Sequence, residues 1–411
     1  MGEKLALDGG TPVRDVQSRP WPEWPQRSEA EWRDQVEPAF RSVYESGIEA
    51  LPSPVAHQFA QEFARYCGVP YGLMLPHGTD SIAAAVSAAL DLDGFIDGGE
   101  VIIPNYTFIA TASAPLSLRC HVCFVDVDRH SFTLDAAALQ AAIQPGKTKA
   151  ILPVHLGGHP ADMDQILEIA NHNGLKVIED CAQAHGAEWR GRKVGSFGNA
   201  GAFSFQSSKN ITSGEGGCVV THEERVHEQV QSFMNVGRVP GGARWHYQRM
   251  GWNYRPSEYL AALLTVRLRS YPEALKRRSD NAKYLSERLS QVEGITPPAE
   301  ARGVSTHAYH LYIMKVDMAC FGGRPREDLL RALEAEGVPC SPGYTQPLSE
   351  EAGLRYVHDH YSRLLRIEPC PNVRKICATS LWLFQHLLLG SQEDMDDIAE
   401  AFLKVQRCFR G

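Results

Sequence analysis

This chain of 411 residues lacks a basic excess, an apolar leader and a second cysteine pair that would complete a zinc site. It carries 41 Lys and Arg against 49 Asp and Glu, a formal net charge of −8. A general nucleic-acid binder needs a basic stripe, so that class is excluded. A small phosphate group remains open, because backbone N–H groups can hold one in an acidic protein. The opening Met1-Gly2-Glu3-Lys4-Leu5 is polar and leads into Gly9-Gly10, so no secretory leader is expected. Myristoylation favours a hydroxyl residue at the position that Ala6 occupies. The uncharged run Val101 to Leu118 approaches membrane length, but Pro104, Asn105, Tyr106 and Pro115 interrupt it. It reads as a buried strand, a loop and a helix start, and no membrane segment is expected.

The ten cysteines are scattered, several of them inside apolar runs (Cys123, Cys181, Cys218). Without a leader they read as reduced thiols of a cytoplasmic protein. Cys120-His121-Val122-Cys123 stands alone, and Phe124-Val125-Asp126-Val127 continues it as a strand. Two cysteines at that spacing in a strand face opposite ways, so no metal is expected. Internal repeats and low-complexity tracts are absent as well.

With 43% hydrophobic and 22% charged residues, the composition is that of an ordinary globular protein. The length exceeds one typical core and predicts a large and a small domain. Residues 1–50 form an arm and first helix, 51–265 a large domain, and 266–411 a small α+β domain. The arm is punctuated by Gly9-Gly10-Thr11-Pro12 and Trp21-Pro22-Glu23-Trp24-Pro25, and its tryptophans need burial against the body or a second subunit. Short apolar strands are predicted at Tyr71–Leu75, Val101–Ile103, Cys120–Val127, Ala150–Val154, Lys176–Ile178, Gly201–Phe205 and Cys218–Thr221. Helical patterns at Asp80–Leu90, Asp135–Ala142 and Met163–Asn171 alternate with them. That alternation predicts an α/β fold with a mostly parallel, seven-stranded sheet covered by helices. Beyond residue 265 the pattern predicts a helix over Pro272–Val292, a strand over His310–Val316 and helices at Pro325–Gly337 and Glu393–Val405.

Ligands in such sheets sit beyond the carboxyl ends of the strands. Three chemically distinct groups fall there. Gly78-Thr79-Asp80 opens a helix after a strand, where N–H groups and a hydroxyl suit a phosphate, although an ordinary N-cap reads the same. Asp180 ends an apolar strand next to Glu179, and only one of the two faces inward. Lys209 lies in Phe203-Ser204-Phe205-Gln206-Ser207-Ser208-Lys209-Asn210, followed by Gly214-Glu215-Gly216-Gly217. A lysine amine that binds an aldehyde, with an Asp that pairs with a pyridinium nitrogen, is the minimal pattern for pyridoxal phosphate. Ser204 and Ser208 are further phosphate candidates, and Gln183 is placed to donate to the ring's phenolate oxygen. Lys209 would also serve as the base for a 1,3-proton shift, which requires a depressed pKa. His185 reads equally as a structural histidine or a substrate contact. Phe108, in Pro104-Asn105-Tyr106-Thr107-Phe108, is a candidate to stack on the ring. In Gly251-Trp252-Asn253-Tyr254-Arg255, Asn253 and Arg255 are candidates to contact an anion.

These segments, with Pro153-Val154-His155-Leu156-Gly157, Trp382-Leu383-Phe384-Gln385-His386 and Glu393-Asp394-Met395-Asp396-Asp397-Ile398, resemble the DegT/DnrJ/EryC1/StrS family of fold-type I, pyridoxal-phosphate-dependent aminotransferases. The resemblance spans nearly the whole chain. It implies that Lys209 binds the cofactor aldehyde, that Asp180 holds the pyridine nitrogen and that Gln183 approaches the phenolate oxygen. It implies that Gly78, Thr79, Asp80 (through its backbone) and Ser204 cradle the phosphate, and that Phe108 stacks on the ring. It further implies that Asn253 reaches the other subunit's cofactor in an obligatory homodimer, with Tyr254 and Arg255 as candidate substrate residues. The implied reaction moves an amino group from L-glutamine or L-glutamate to a keto sugar or keto cyclitol. Asp162-Met163-Asp164 and the Glu179–Gln183 run look most like the branch that uses L-glutamine with scyllo-inosose-type cyclitols or makes aminohydroxybenzoate. The sequence departs from many relatives at Ser46-Gly47-Ile48-Glu49-Ala50-Leu51, where they carry a longer, glycine- and aromatic-rich substrate loop. Members that dehydrate or deoxygenate replace the lysine with histidine, so Lys209 favours transamination, and a regulatory relict has no use for the intact set. An aromatising synthase needs the same lysine and stays open.

Overall fold

The computed structural model describes residues 4–46, 53–92, 98–243, 245–299 and 301–410. The departure at Ser46–Leu51 lies, from residue 47 onward, outside the described residues. Among the described residues fourteen strands follow in chain order: β1 (Tyr71–Leu75), β2 (Glu100–Pro104), β3 (His121–Val125), β4 (Thr148–Ile151), β5 (Lys176–Asp180), β6 (Glu188–Trp189), β7 (Arg192–Lys193), β8 (Ala200–Ser204), β9 (Gly217–Thr221), β10 (Ile295–Thr296), β11 (Val304–Thr306), β12 (Leu311–Val316), β13 (Leu365–Ile367) and β14 (Ser380–Phe384).

Eight of them form the central sheet, in the order β1-β9-β8-β5-β4-β2-β3-β13. Only β9 runs against its neighbours β1 and β8, and the remaining pairings are parallel. Parallel neighbours need crossovers, and helices Ala110–Ser117 and Met163–Asn173 supply two of them. Strands β2, β8 and β9 are buried at every residue, as a sheet covered on both faces demands. The seven strands predicted for this sheet are all in it, and β13 is an eighth from the C-terminal part of the chain. β13 is three residues long, too short for a periodic pattern. A buried charge pair pins it: Arg366 Nε and Nη2 donate to the two carboxylate oxygens of Glu100 at 2.9 and 2.7 Å.

Local signals set the element ends. Helix Pro54–Cys67 starts at Ser53, whose hydroxyl accepts from the Ala56 N–H, carries Pro at its first turn and stops at left-handed Gly68. Such a cap contributes about 1 kcal/mol. Helix Glu258–Leu289 runs through residues 265 and 266 and joins two cores. Its Ala261 and Leu264 pack with Phe59, Phe63 and Phe205, while Ala282, Leu285 and Leu289 pack with Tyr312, Leu383 and Phe402. The second core lies on the sheet β10-β12-β14, and a third small sheet has the order β11-β6-β7.

The arm packs on its own chain. Trp21 Nε1 donates to the Gly337 carbonyl and Trp24 Nε1 to that of Ser207. Buried Arg14 bridges Asp394 and Asp397 at 2.7 and 2.8 Å. No helix among the described residues is long and apolar enough to cross a membrane.

Candidate active site

The seven co-directional strands point their carboxyl ends to one side of the sheet, and a cavity of about 980 Å³ opens there. Gly78, Thr79, Asp80, Phe108, Asp180, Gln183, Ser204 and Lys209 all line it. They arrive from the ends of four strands, β1, β2, β5 and β8, which is why residues more than a hundred positions apart meet.

Beyond β1 the chain turns into helix Gly78–Ala89. His77 sits at its N-cap but makes no side-chain capping bond; its Nδ1 lies 2.8 Å from Asp80 Oδ2 instead. The first-turn N–H groups therefore face the cavity uncapped by a side chain. Ser204, at the end of β8, is pressed against this turn. A β-carbon on Gly78 would lie 2.5 Å from Ser204 Cβ and 2.9 Å from its Oγ, so only glycine admits the serine hydroxyl here. Helix N–H groups, the Thr79 hydroxyl and the Ser204 hydroxyl make a cradle with the donor set of a phosphate site.

Asp180 and Glu179 end β5 facing opposite ways. Glu179 accepts from the N–H groups of Gly195, Phe197 and Gly198 at 2.7 to 2.8 Å. It also accepts from His155 Nε2 at 3.1 Å; that nitrogen carries the proton because His155 Nδ1 accepts from the Ala161 N–H. Glu179 is thus fully occupied in holding the loop before β8. Asp180 faces the cavity, where it accepts from Thr111 Oγ1 at 2.8 Å and from the Ala182 N–H at 3.1 Å. Burial pushes its pKa up, against those two hydrogen bonds and the charge of Lys209. Burial likewise pulls Lys209 down, against the charge of Asp180. The loop carrying Lys209 is held by buried Asn210, which donates to the Ala308 carbonyl at 2.7 Å.

Gln183 is buried, and its Oε1 accepts from the Gly157 N–H at 2.6 Å, which leaves the amide NH₂ as its remaining polar group. Phe108 is 57% exposed at the cavity wall. Tyr106 of the same segment turns into the core against Tyr344 and Trp382.

His185 lies outside the cavity lining: it has no exposure and is enclosed by Phe63, Phe203, Phe205 and Tyr271. Burial among these rings pulls its pKa down to about 3, so it is neutral, and its ring sits in the core and does not line the cavity. Asn253, Tyr254 and Arg255 also stand apart from the cavity lining. Asn253 is exposed and bridges to Asn235, and Arg255 Nη1 lies 3.4 Å from Asn235 Oδ1. Ser208 lines the cavity near its mouth.

The structure adds residues that are not among the sequence's candidate site residues. Trp24 of the arm, Thr107, His310, Tyr344, Trp382, Phe384, Gln385 and His386 line the cavity. His310 Nδ1 donates to Asn210 Oδ1 at 3.2 Å, since the Asn210 amide nitrogen is already donating, and Nε2 is left as an acceptor. Trp382–His386 carries a family signature in the sequence, but nothing in it places that segment beside Lys209.

The chain is similar to known proteins over most of its length. The model of the DegT/DnrJ/EryC1/StrS aminotransferase family matches residues 31–403. The L-glutamine:2-deoxy-scyllo-inosose aminotransferase of Streptoalloteichus tenebrarius is 37% identical over 427 residues, covering 98% of this chain and 97% of its own. The crystal structure of 3-amino-5-hydroxybenzoic acid synthase superposes with a TM-score of 0.82 at 27% identity, covering 94% of this chain and 98% of that one. An E. coli GDP-4-keto-6-deoxy-D-mannose-3-dehydratase with bound hydrated PLP shares the fold, with a TM-score of 0.81 at 22% identity over 93% of this chain and 100% of its own.

Proposed function

This chain belongs to the DegT/DnrJ/EryC1/StrS aminotransferase family, and we propose that it moves the amino group of L-glutamine to a keto cyclitol of the scyllo-inosose type. The enzyme is an aminotransferase dependent on pyridoxal 5′-phosphate. One observation carries the reading: Lys209 and Asp180 line the same cavity as the Gly78–Ser204 cradle. An amine, a carboxylate and a phosphate seat are the donor set that this cofactor requires. When bound, the cofactor supplies an aldehyde that condenses with amines and a ring that takes up electrons.

The protein's own groups divide the remaining work. Lys209 would hold the aldehyde at rest; burial lowers its pKa, which favours the neutral amine, the form that takes and returns a proton. Asp180, ionised when it faces a ring cation, holds the proton on the pyridine nitrogen, with Thr111 and the Ala182 N–H keeping the carboxylate in place. Gln183 presents its NH₂ to the phenolate side, its oxygen being taken by Gly157. Gly78, Thr79, Asp80 and Ser204 would hold the phosphate, and Phe108 would cover the ring. The exposure of Phe108, Trp252 and Asn253 supports a homodimer in which Asn253 completes the partner's site. The scatter of the ten cysteines along the chain, several of them inside apolar runs, supports a cytoplasmic location.

Likeness to 3-amino-5-hydroxybenzoic acid synthase keeps an aromatising synthase as the second reading. The test mixes the purified, cofactor-loaded protein with L-glutamine and 2-deoxy-scyllo-inosose. Loss of the yellow colour with L-glutamine alone, followed by stoichiometric keto acid and aminated cyclitol, supports the proposal. Conversion of a cyclic enone acid to an aromatic product without donor consumption would assign the synthase. No colour change with either L-glutamine or L-glutamate sinks donor chemistry of this type.

A further inference from the structure

Arg278, on helix Glu258–Leu289, is the largest fully buried side chain among the described residues. No carboxylate pairs with it among those residues. Its Nε and Nη2 both donate to Gln385 Oε1, at 2.9 and 2.5 Å, and its Nη1 is buried without a hydrogen-bond partner. Its other close company is neutral. The guanidinium carbon stands 5.2 Å from the Trp24 ring centre, and Tyr271, His185, His310 and His386 lie within its electrostatic reach. Burial lowers its pKa to about 10, which still leaves it cationic at neutral pH. A buried cation without an anion is costly, and proteins seldom keep one unless a ligand supplies the missing charge.

Gln385 is the link to the cavity. A guanidinium can only donate, so the side-chain oxygen of Gln385 must face Arg278 and its NH₂ must point elsewhere. Gln385 lines the cavity between Phe384 and His386, and Trp24 lines it too. Gln385 thus offers an N–H donor from the cavity wall, and the cation behind it has no carboxylate partner among the described residues. Of the two substrates, the amino acid brings a carboxylate and the keto cyclitol brings none.

We propose that Gln385, oriented by Arg278, is the seat of the amino donor's α-carboxylate. Arg278 is a positioning residue here, and Gln385 makes the contact. The inference rests on the aminotransferase reading of the cavity, so its test includes a measurement that needs no turnover. Glutarate, a carboxylate without an amino group, is titrated by calorimetry into the holoenzyme, beside neutral glutaramide. The wild type should bind glutarate and not glutaramide. Q385E puts a carboxylate on Arg278 and removes the donor; Q385N keeps the amide but withdraws it by one methylene. In both, glutarate affinity should fall and the KM for L-glutamine should rise roughly 10- to 100-fold. Cofactor affinity should hold, and the loss should fall more heavily on the L-glutamine half-reaction than on amination of the keto acceptor by enzyme loaded with pyridoxamine 5′-phosphate. Unchanged glutarate binding in the variants overturns the proposal. So does an equal loss in both half-reactions, or a loss of cofactor affinity, which would assign Arg278 to the cofactor phosphate. Wild-type protein that binds glutarate but transfers no amino group would sink the aminotransferase reading and leave the carboxylate seat standing.

Discussion

Thr111 Oγ1 donates a 2.8 Å hydrogen bond to Asp180 Oδ2, and Thr107 Oγ1 lies 3.0 Å behind it. This hydroxyl pair comes from the segment after β2, two strands away from β5 in the sheet. It holds down a carboxylate that burial pushes toward its protonated form. Thr111→Val keeps the shape and removes the donor. Asp180 then titrates at higher pH, and because the ionised form is the useful one, the acid limb of the pH–rate profile moves upward. The rate at the acid end should fall about tenfold, with little change at alkaline pH. A pH profile of kcat/KM for both proteins checks it; superimposable acid limbs refute it.

Gly78 and Ser204 touch so closely that a methyl group has nowhere to go. Gly78→Ala should destabilise the protein by about 1–3 kcal/mol and weaken binding of pyridoxal 5′-phosphate. Ser204→Ala should weaken the cofactor by about tenfold while leaving Tm nearly unchanged. Adding Ser204→Gly to Gly78→Ala should recover part of the stability and none of the affinity, since the two sites share one contact. Thermal melts with cofactor titrations distinguish these outcomes.

Asn253 is exposed and outside the cavity of its own chain. If it completes the partner's site, Lys209→Ala and Asn253→Ala chains are each impaired alone but complement one another. Refolded together in equal amounts, they should regain about a quarter of wild-type activity, because half the dimers carry one intact site. No recovery on mixing, with mixed dimers verified by mass, would place Asn253 elsewhere.

Glu100 is fully buried and receives both nitrogens of the Arg366 fork, the Thr148 hydroxyl at 2.9 Å and Lys147 at 3.4 Å. Burial works to raise its pKa, but these partners outweigh it and the net shift is downward from 4.5. A carboxyl depressed in the folded state contributes stability above its unfolded pKa, and that contribution drains away as pH falls through the folded value. Glu100→Gln should therefore cost about 3 kcal/mol at neutral pH and lose less than the wild type on acidification below 4.5. Denaturant melts across acid pH read the difference.

The parts of the fold legible in the sequence are those with local causes. The seven apolar strands of the central sheet and the helices between them follow from periodicity, and capping residues such as Ser53 and Gly68 mark helix ends. β13 escapes because three residues carry no period and its place depends on a charge pair 266 positions apart. Helix Glu258–Leu289 passes the expected boundary at 265/266 because its periodic face serves two cores in succession.

The candidate site divides in the same way. Gly78, Asp180, Ser204 and Lys209 are legible because each sits at a strand end, and chain order alone predicts that parallel strand ends share one side. What a neighbour does to a side chain is a tertiary matter. Glu179 and Asp180 are equivalent in sequence, and the loop N–H groups of Gly195, Phe197 and Gly198 claim one while the cavity receives the other. His185 reads as polar, yet four aromatic rings enclose it. Arg278 reads as one more cation on a charged helix, and only packing buries it without an anion beside Gln385. The sequence by itself determined the strand order's raw material and the reactive groups, because those depend on residue type and short-range spacing. Tertiary structure alone decided burial, proton positions and which donors face the cavity, because desolvation and hydrogen bonding come from residues distant in the chain.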